Sequence, residues 1–270
     1  MNCKYLDIPR FLIVASMMLV VSCGGGGGDD RFPTPTLPAD AMKFDATNAN
    51  DTALTIMGFS STFSQGPVFK TDVAPTIPQI VDMALDEVIQ WNRNTLPAAS
   101  RTTDISAGLC ITGTATTNSS ESGSSASGNM IFNNCDIGSG ILLNGNFAFE
   151  TSWNDTTLDY NFHTGGTLSI TIPPETVTVT MNLIESGNIG TGAYSTDTSF
   201  SMSGVPGAGF LVETVQPLTG NYNTLEVTGG QLIAYGSGGT RLRITVTTPN
   251  NADVELDDGG GFVFDSTIMF

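Results

Sequence analysis

The side chains able to do chemistry are few and scattered. The chain has one imidazole, His163, and four cysteines, Cys3, Cys23, Cys110 and Cys135. A Ser-His-Asp triad or a multi-histidine zinc site would have to be built on His163 alone. That residue follows Phe162 in an alternating run, which puts it on the opposite, solvent-facing side. Neither a Gly-x-Ser-x-Gly elbow nor a phosphate-cradling glycine loop ending in Lys-Ser or Lys-Thr occurs. Carboxylates are abundant. Glu150, Asp155 and Asp159 flank Trp153 and Tyr160 and would suit a sugar-handling cleft if they converged. Glycoside hydrolysis, however, needs two carboxyls at a defined separation, and the spacing supplies no such convergence. The expectation from these residues is a protein that is not an enzyme and uses no cofactor.

Charge narrows the partners. There are 26 Asp and Glu against 9 Lys and Arg, for a formal net charge of −17. No basic stripe exists to neutralise phosphates, which excludes nucleic acid as a partner. Anionic headgroups would also repel the body of the protein. With 31 Gly and an abundance of Thr and Ser, the composition is that of a β protein.

Lys4 and Arg10 precede an apolar run, Phe11 to Val21, of eleven residues. At about 1.5 Å per residue this run is too short to cross a hydrocarbon core of about 30 Å, and it has the form of a signal-peptide core. It ends in Val20-Val21-Ser22-Cys23, which resembles the lipobox of bacterial lipoproteins. The resemblance implies cleavage before Cys23, diacylglycerol on its sulfur and an acyl chain on the new amino group. Such chains together hold a protein on a bilayer that one alone would hold only marginally. Gly24, where an Asp would signal retention in the inner membrane, implies the outer membrane. Cys3 then leaves with the signal and Cys23 is acylated, so Cys110 and Cys135 remain to form a disulfide in an oxidising compartment.

The division that follows is a signal peptide over 1–22, a lipidated flexible tether over 23–40 and a single domain over 41–270. Gly24 to Gly28, followed by Pro33, Pro35 and Pro38, cannot bury apolar surface and reads as tether. The domain starts with a helical segment, 48–95. Ala49, Ala53, Ile56, Met57, Ser60 and Phe63 recur at helical spacing, and Ile80, Val81, Ala84, Leu85, Val88 and Ile89 make a second stripe that Pro97 stops.

From about residue 108 the period changes from 3.6 to 2. Leu168, Ile170 and Ile172 alternate with polar residues, as do Val177, Val179, Met181 and Leu183, and Pro173-Pro174 between them marks a hairpin. The same pattern recurs around Phe147, Tyr160, Phe200, Val227, Ile244 and Val254. The fold class expected is mainly β (α+β): a curled antiparallel up-and-down sheet or barrel of about 10–12 strands packed on one or two N-terminal helices. If Cys110 stands opposite Cys135, Thr117 faces Gly128 and the intervening turn centres on Ser122 and Gly123.

Two further resemblances concern the C-terminus. The stretch 254–265 is similar to the Asp- and Gly-rich calcium turns of bacterial surface proteins. Asp257 and Asp258 are its candidate ligands, but Gly260 stands where another oxygen is required. No metal is therefore expected. Phe270, with Ile268, Phe264 and Phe262 taken to share its face, resembles the terminal strand of outer-membrane β-barrels. The body as a whole resembles Gram-negative lipoproteins with a Thr-rich meander, a likeness that implies no activity. The expectation is a lipid-anchored envelope protein of the outer membrane with a non-catalytic binding or structural role. A carrier of acyl chains in a half-barrel and a barrel embedded in the outer membrane are the alternatives.

Overall fold

A computed structural model describes residues 31–65, 101–104, 106, 110–121, 124–136, 141–154, 156–188, 190–205 and 207–270. Among the described residues it contains one long helix, α1 (Ala49–Gln65), followed by twelve strands. These are β1 (Arg101–Asp104), β2 (Thr112–Glu121), β3 (Ser125–Asp136), β4 (Leu142–Trp153), β5 (Asp159–Ile172) and β6 (Glu175–Asn188) in the first half. The second half holds β7 (Ala193–Ser203), β8 (Phe210–Asn221), β9 (Glu226–Tyr235), β10 (Arg241–Thr248), β11 (Asn251–Asp257) and β12 (Val263–Met269). Every strand pairs antiparallel with its neighbours in sequence, and β1 and β12 are the two edges of one curled, open sheet. The amphipathic stretch expected at residues 80–93 lies outside the described residues.

Strict alternation sets which side is buried. On β6, Val177, Val179, Met181 and Leu183 are buried while Thr178, Thr180 and Asn182 face outward. Ile170 and Leu168 stand opposite Val177 and Val179 across the hairpin that turns at Pro173-Pro174. The apolar side continues through Phe200, Val212, Leu232, Leu242, Ile244 and Val254. Helix α1 lies on this side against β10, β11 and β12, with Ala49, Ala53, Ile56 and Met57 fully buried. These are the positions picked out by helical spacing, and Ser60 is buried with them. A reciprocal cap starts the helix: Asp45 accepts the Thr47 N–H at 2.8 Å, and Asn48 Oδ1 accepts the Asp45 N–H at 3.0 Å.

Two registers differ from expectation. The Cys110–Cys135 disulfide is present, with Cα atoms 5.0 Å apart. Thr117, however, stands opposite Met130, and Gly128 opposite Ser119, two residues from the register expected. Cys110 precedes β2, its N–H bonded to Ser106 O at 2.7 Å, and the ladder is shifted between Thr112 and Thr114. An even offset preserves the side on which each residue points, so Ala115, Met130 and Phe132 are buried. At the C-terminus the offset is odd. Ile268 pairs with Ala252 on the buried side, but a bulge between Ser266 and Phe264 places Phe264 opposite Glu255. Phe264 is therefore exposed and does not share the face of Ile268.

The segment leading to α1 crosses from one side of the sheet to the other. Phe32 packs on the outer side of β5, and Asp40 Oδ2 accepts the Gly204 N–H at 2.6 Å at the β7–β8 end. Met42 then exchanges backbone hydrogen bonds with Gly209 and Ser237, and Phe44 enters the core with its N–H donated to Thr240 Oγ1 at 3.0 Å.

Candidate functional site

The inward alternation of β6 does not stop at Leu183. Its next member on the buried side is Glu185, whose side chain is 6% exposed. Cross-strand pairing puts Phe162 and Thr196 directly opposite it. Tyr160 Oη donates to Glu185 Oε1 at 2.8 Å, Tyr222 Oη donates to the same oxygen, and Thr196 Oγ1 donates to Oε2 at 3.0 Å. The two phenol oxygens lie 2.9 Å apart, each with its single hydrogen directed to Glu185, and Tyr194 stacks on Tyr222 with centroids 4.5 Å apart. Room for the rings comes from missing side chains. A Cβ on Gly187 would sit 2.7 Å from Tyr160 Oη, and one on Gly220 would sit 2.3 Å from Tyr194 Oη.

Burial and the adjacent Glu185 carboxylate both push the phenols of Tyr160 and Tyr222 far above their ordinary pKa. They are hydrogen-bond donors at any physiological pH, and Glu185 is their common acceptor. The cluster thus ties β5, β6, β7 and the turn after β8 into one polar clasp on the buried side. Nothing in the spacing read as chemistry pointed to it. The available signal was a carboxylate at the next alternate position after Val177, Val179, Met181 and Leu183.

The residues singled out from sequence lie elsewhere. His163 is on the outer side, as alternation requires, and is half-buried beneath Phe32, with ring centroids 3.6 Å apart and planes at 21°. Its Nε2 is 2.8 Å from Asn182 Oδ1. Glu150 stands opposite His163 and pairs with Arg31 at 2.6 Å. Asp159 accepts from Asn188 Nδ2 at 2.7 Å, which helps hold its carboxyl below the usual range. Glu150 and Asp159 therefore have separate partners, and Asp155 lies outside the described residues.

Asp257 is engaged on both oxygens. Oδ2 accepts from Arg241, and Oδ1 accepts the N–H groups of Gly259 and Gly261 at 2.9 Å each. Arg241, then the two amides, hold its pKa down at about 2. Asp258 is exposed. The turn is an internally satisfied Asp–Arg pair, and among the described residues no three His, Cys, Asp or Glu side chains gather to hold a metal ion. Next to it Arg243 pairs with Glu255, and Phe262 covers both guanidinium groups at 4.9 and 4.3 Å from its centroid.

Between these features the outer side carries two cross-strand rows without charge. One runs Asn146, Thr167, Thr180, Ser201 and the other Asn144, Ser169, Thr178, Ser203. Thr167 and Thr180 hydroxyls are 3.1 Å apart, and Thr171 and Thr176 hydroxyls 3.0 Å.

No protein-family model, no curated protein and no solved structure matches this chain. Whatever is inferred of function rests on its own residues.

Proposed function

We propose that this is a lipid-anchored protein of the outer membrane, attached through acyl chains on Cys23, whose domain has a non-catalytic binding or structural role in the cell envelope. The observation that carries this reading is the polarity of the sheet. Its apolar side is turned toward α1, and its outer side carries hydroxyl rows, Asn residues and ion pairs. A barrel embedded in a membrane needs the reverse, an apolar band outside and polar residues within. Attachment by lipid instead of by strands fits this polarity, and the Val20-Val21-Ser22-Cys23 segment supplies the attachment point.

The carboxylates support a role without catalysis. Glu185, Asp257, Glu255 and Glu150 are each engaged by donors of the chain itself. A carrier of acyl chains has less support, because Ala53, Ile56 and Met57 of α1 occupy the apolar side over β10 to β12. The test is mass spectrometry of the mature N-terminal peptide after expression in a Gram-negative host. The expected peptide begins at Cys23 and carries diacylglycerol and an amide-linked acyl chain. An unmodified thiol, or a chain still holding residues 1–22, would overturn the reading.

A further inference from the structure

We infer that Arg31 and Phe32 strap the anchor chain onto the outer side of the sheet, and that this strap turns the uncharged rows of β4 to β7 toward the bilayer. The inference rests on the proposed acylation of Cys23 and adds to it which surface of the domain meets the membrane.

Three observations converge. The first is the strap itself. Phe32 stacks on His163, its ring lies 3.3 Å from where a Cβ on Gly165 would be, and Ala148, opposite Gly165, is 2% exposed. Arg31 adds the ion pair with Glu150. Gly165 and Ala148 are the small residues that leave space for an aromatic ring on an otherwise polar face.

The second is length. Seven residues lie between Cys23 and Arg31, five of them the glycines 24–28, so eight Cα-to-Cα steps join the two. The covalent chain over these steps reaches at most about 28 Å. A strand of fourteen residues such as β5 is about 46 Å long. The anchor leash is thus shorter than the sheet is tall, and with Phe32 docked the outer side around His163 is the part of the domain nearest the lipid.

The third is charge. A chain with a net charge of −17 is repelled by anionic headgroups within about a Debye length, roughly 8 Å. The rows Asn146-Thr167-Thr180-Ser201 and Asn144-Ser169-Thr178-Ser203 hold hydroxyls and amides but no ionisable group; the carboxylates of this side stand outside them, as Glu150 on β4, Asp197 on β7 and Glu213 on β8, and β10 and β11 carry Arg241, Arg243, Glu255 and Asp257. Uncharged donors and acceptors can approach phosphates and glycerol esters where carboxylates cannot.

The test uses the full-length acylated protein on vesicles of phosphatidylethanolamine and phosphatidylglycerol containing a nitroxide headgroup lipid. A bimane is placed at Thr178→Cys, or at Thr267→Cys on β12, after the disulfide has closed, and Ser199→Cys on β7, opposite Asn182 and beside the rows, gives a second position on the same side. Quenching at Thr178 and Ser199 at least three-fold stronger than at Thr267 is expected. Phe32→Ala should bring the ratio to about one while the protein still floats with the vesicles. Equal quenching in floating protein, or a ratio that Phe32→Ala leaves unchanged, overturns the orientation but leaves the anchor intact. Protein that stays in the aqueous fraction with an unmodified Cys23 overturns both.

Discussion

Tyr160 reaches across from β5 to donate its phenolic hydrogen to Glu185 of β6 at 2.8 Å, on the side of the sheet otherwise given to aliphatic packing. With Tyr222 and Thr196 donating to the same carboxylate, three hydroxyls depend on one acceptor. Removing a buried acceptor costs far more than a single hydrogen bond contributes. Glu185→Ala is expected to destabilise the domain by about 3 kcal/mol. Glu185→Gln keeps an acceptor oxygen and should cost less, and Tyr160→Phe about 1 kcal/mol. Urea denaturation of the three variants checks the order.

The phenols of Tyr160 and Tyr222 titrate above their ordinary pKa in the folded protein. A raised folded pKa gives stability that is fully present below the unfolded value near 10 and is lost as pH rises toward the folded value. The domain should therefore hold its stability up to about pH 10 and then lose about 1.4 kcal/mol per pH unit for each phenol. Alkaline unfolding curves check this, and the Tyr160→Phe, Tyr222→Phe double variant should have a visibly shallower slope.

Clasp and core differ in how far the sequence discloses them. The β5–β6 hairpin could be read directly, because Pro173-Pro174 interrupts two runs whose apolar members meet face to face as Ile170 with Val177 and Leu168 with Val179. Helix α1 could be read because Ala49, Ala53, Ile56 and Met57 are spaced to share one side. Glu185 was hidden by its own chemistry. A carboxylate in an alternating strand is ordinarily assigned to water, and only the convergence of two tyrosines from residues 160 and 222 explains its burial. The registers around Gly113 and Asp265 were hidden because a bulge changes pairing without changing local composition. Phe32 lay in a glycine- and proline-rich stretch that resembles free tether, and the space it fills is set by Gly165 and Ala148 from distant strands.

Cys110 and Cys135 are 25 residues apart, and their cross-link joins the approach to β2 with β3 beside a shifted register. In the loop-entropy account a link of that span stabilises by about 3.5 kcal/mol through the unfolded chain. The Cys110→Ala, Cys135→Ala double variant should lose about that much in urea, and the reducing agent that destabilises the natural protein should leave the variant unaffected.

Asp257 titrates at about 2, below its ordinary 3.8, with Arg241 the largest cause and the Gly259 and Gly261 amides next. A depressed folded pKa gives stability present above the unfolded value and lost as pH falls through the folded one, so the Arg241–Asp257 turn should weaken between about pH 4 and pH 2. Arg241→Gln should raise the Asp257 pKa toward 3.8 without reaching it, since both amides remain. Carboxyl carbon chemical shifts followed through the acid range measure this directly.

That the sheet keeps its oily residues for itself and leaves the membrane to the acyl chains is tested most directly by fractionation of a Cys23→Ala variant exported behind a cleavable signal. A folded domain that appears in the soluble periplasmic fraction, with the Cys110–Cys135 bond formed, is the predicted result. A variant that remains in the outer membrane after extraction with urea would contradict it.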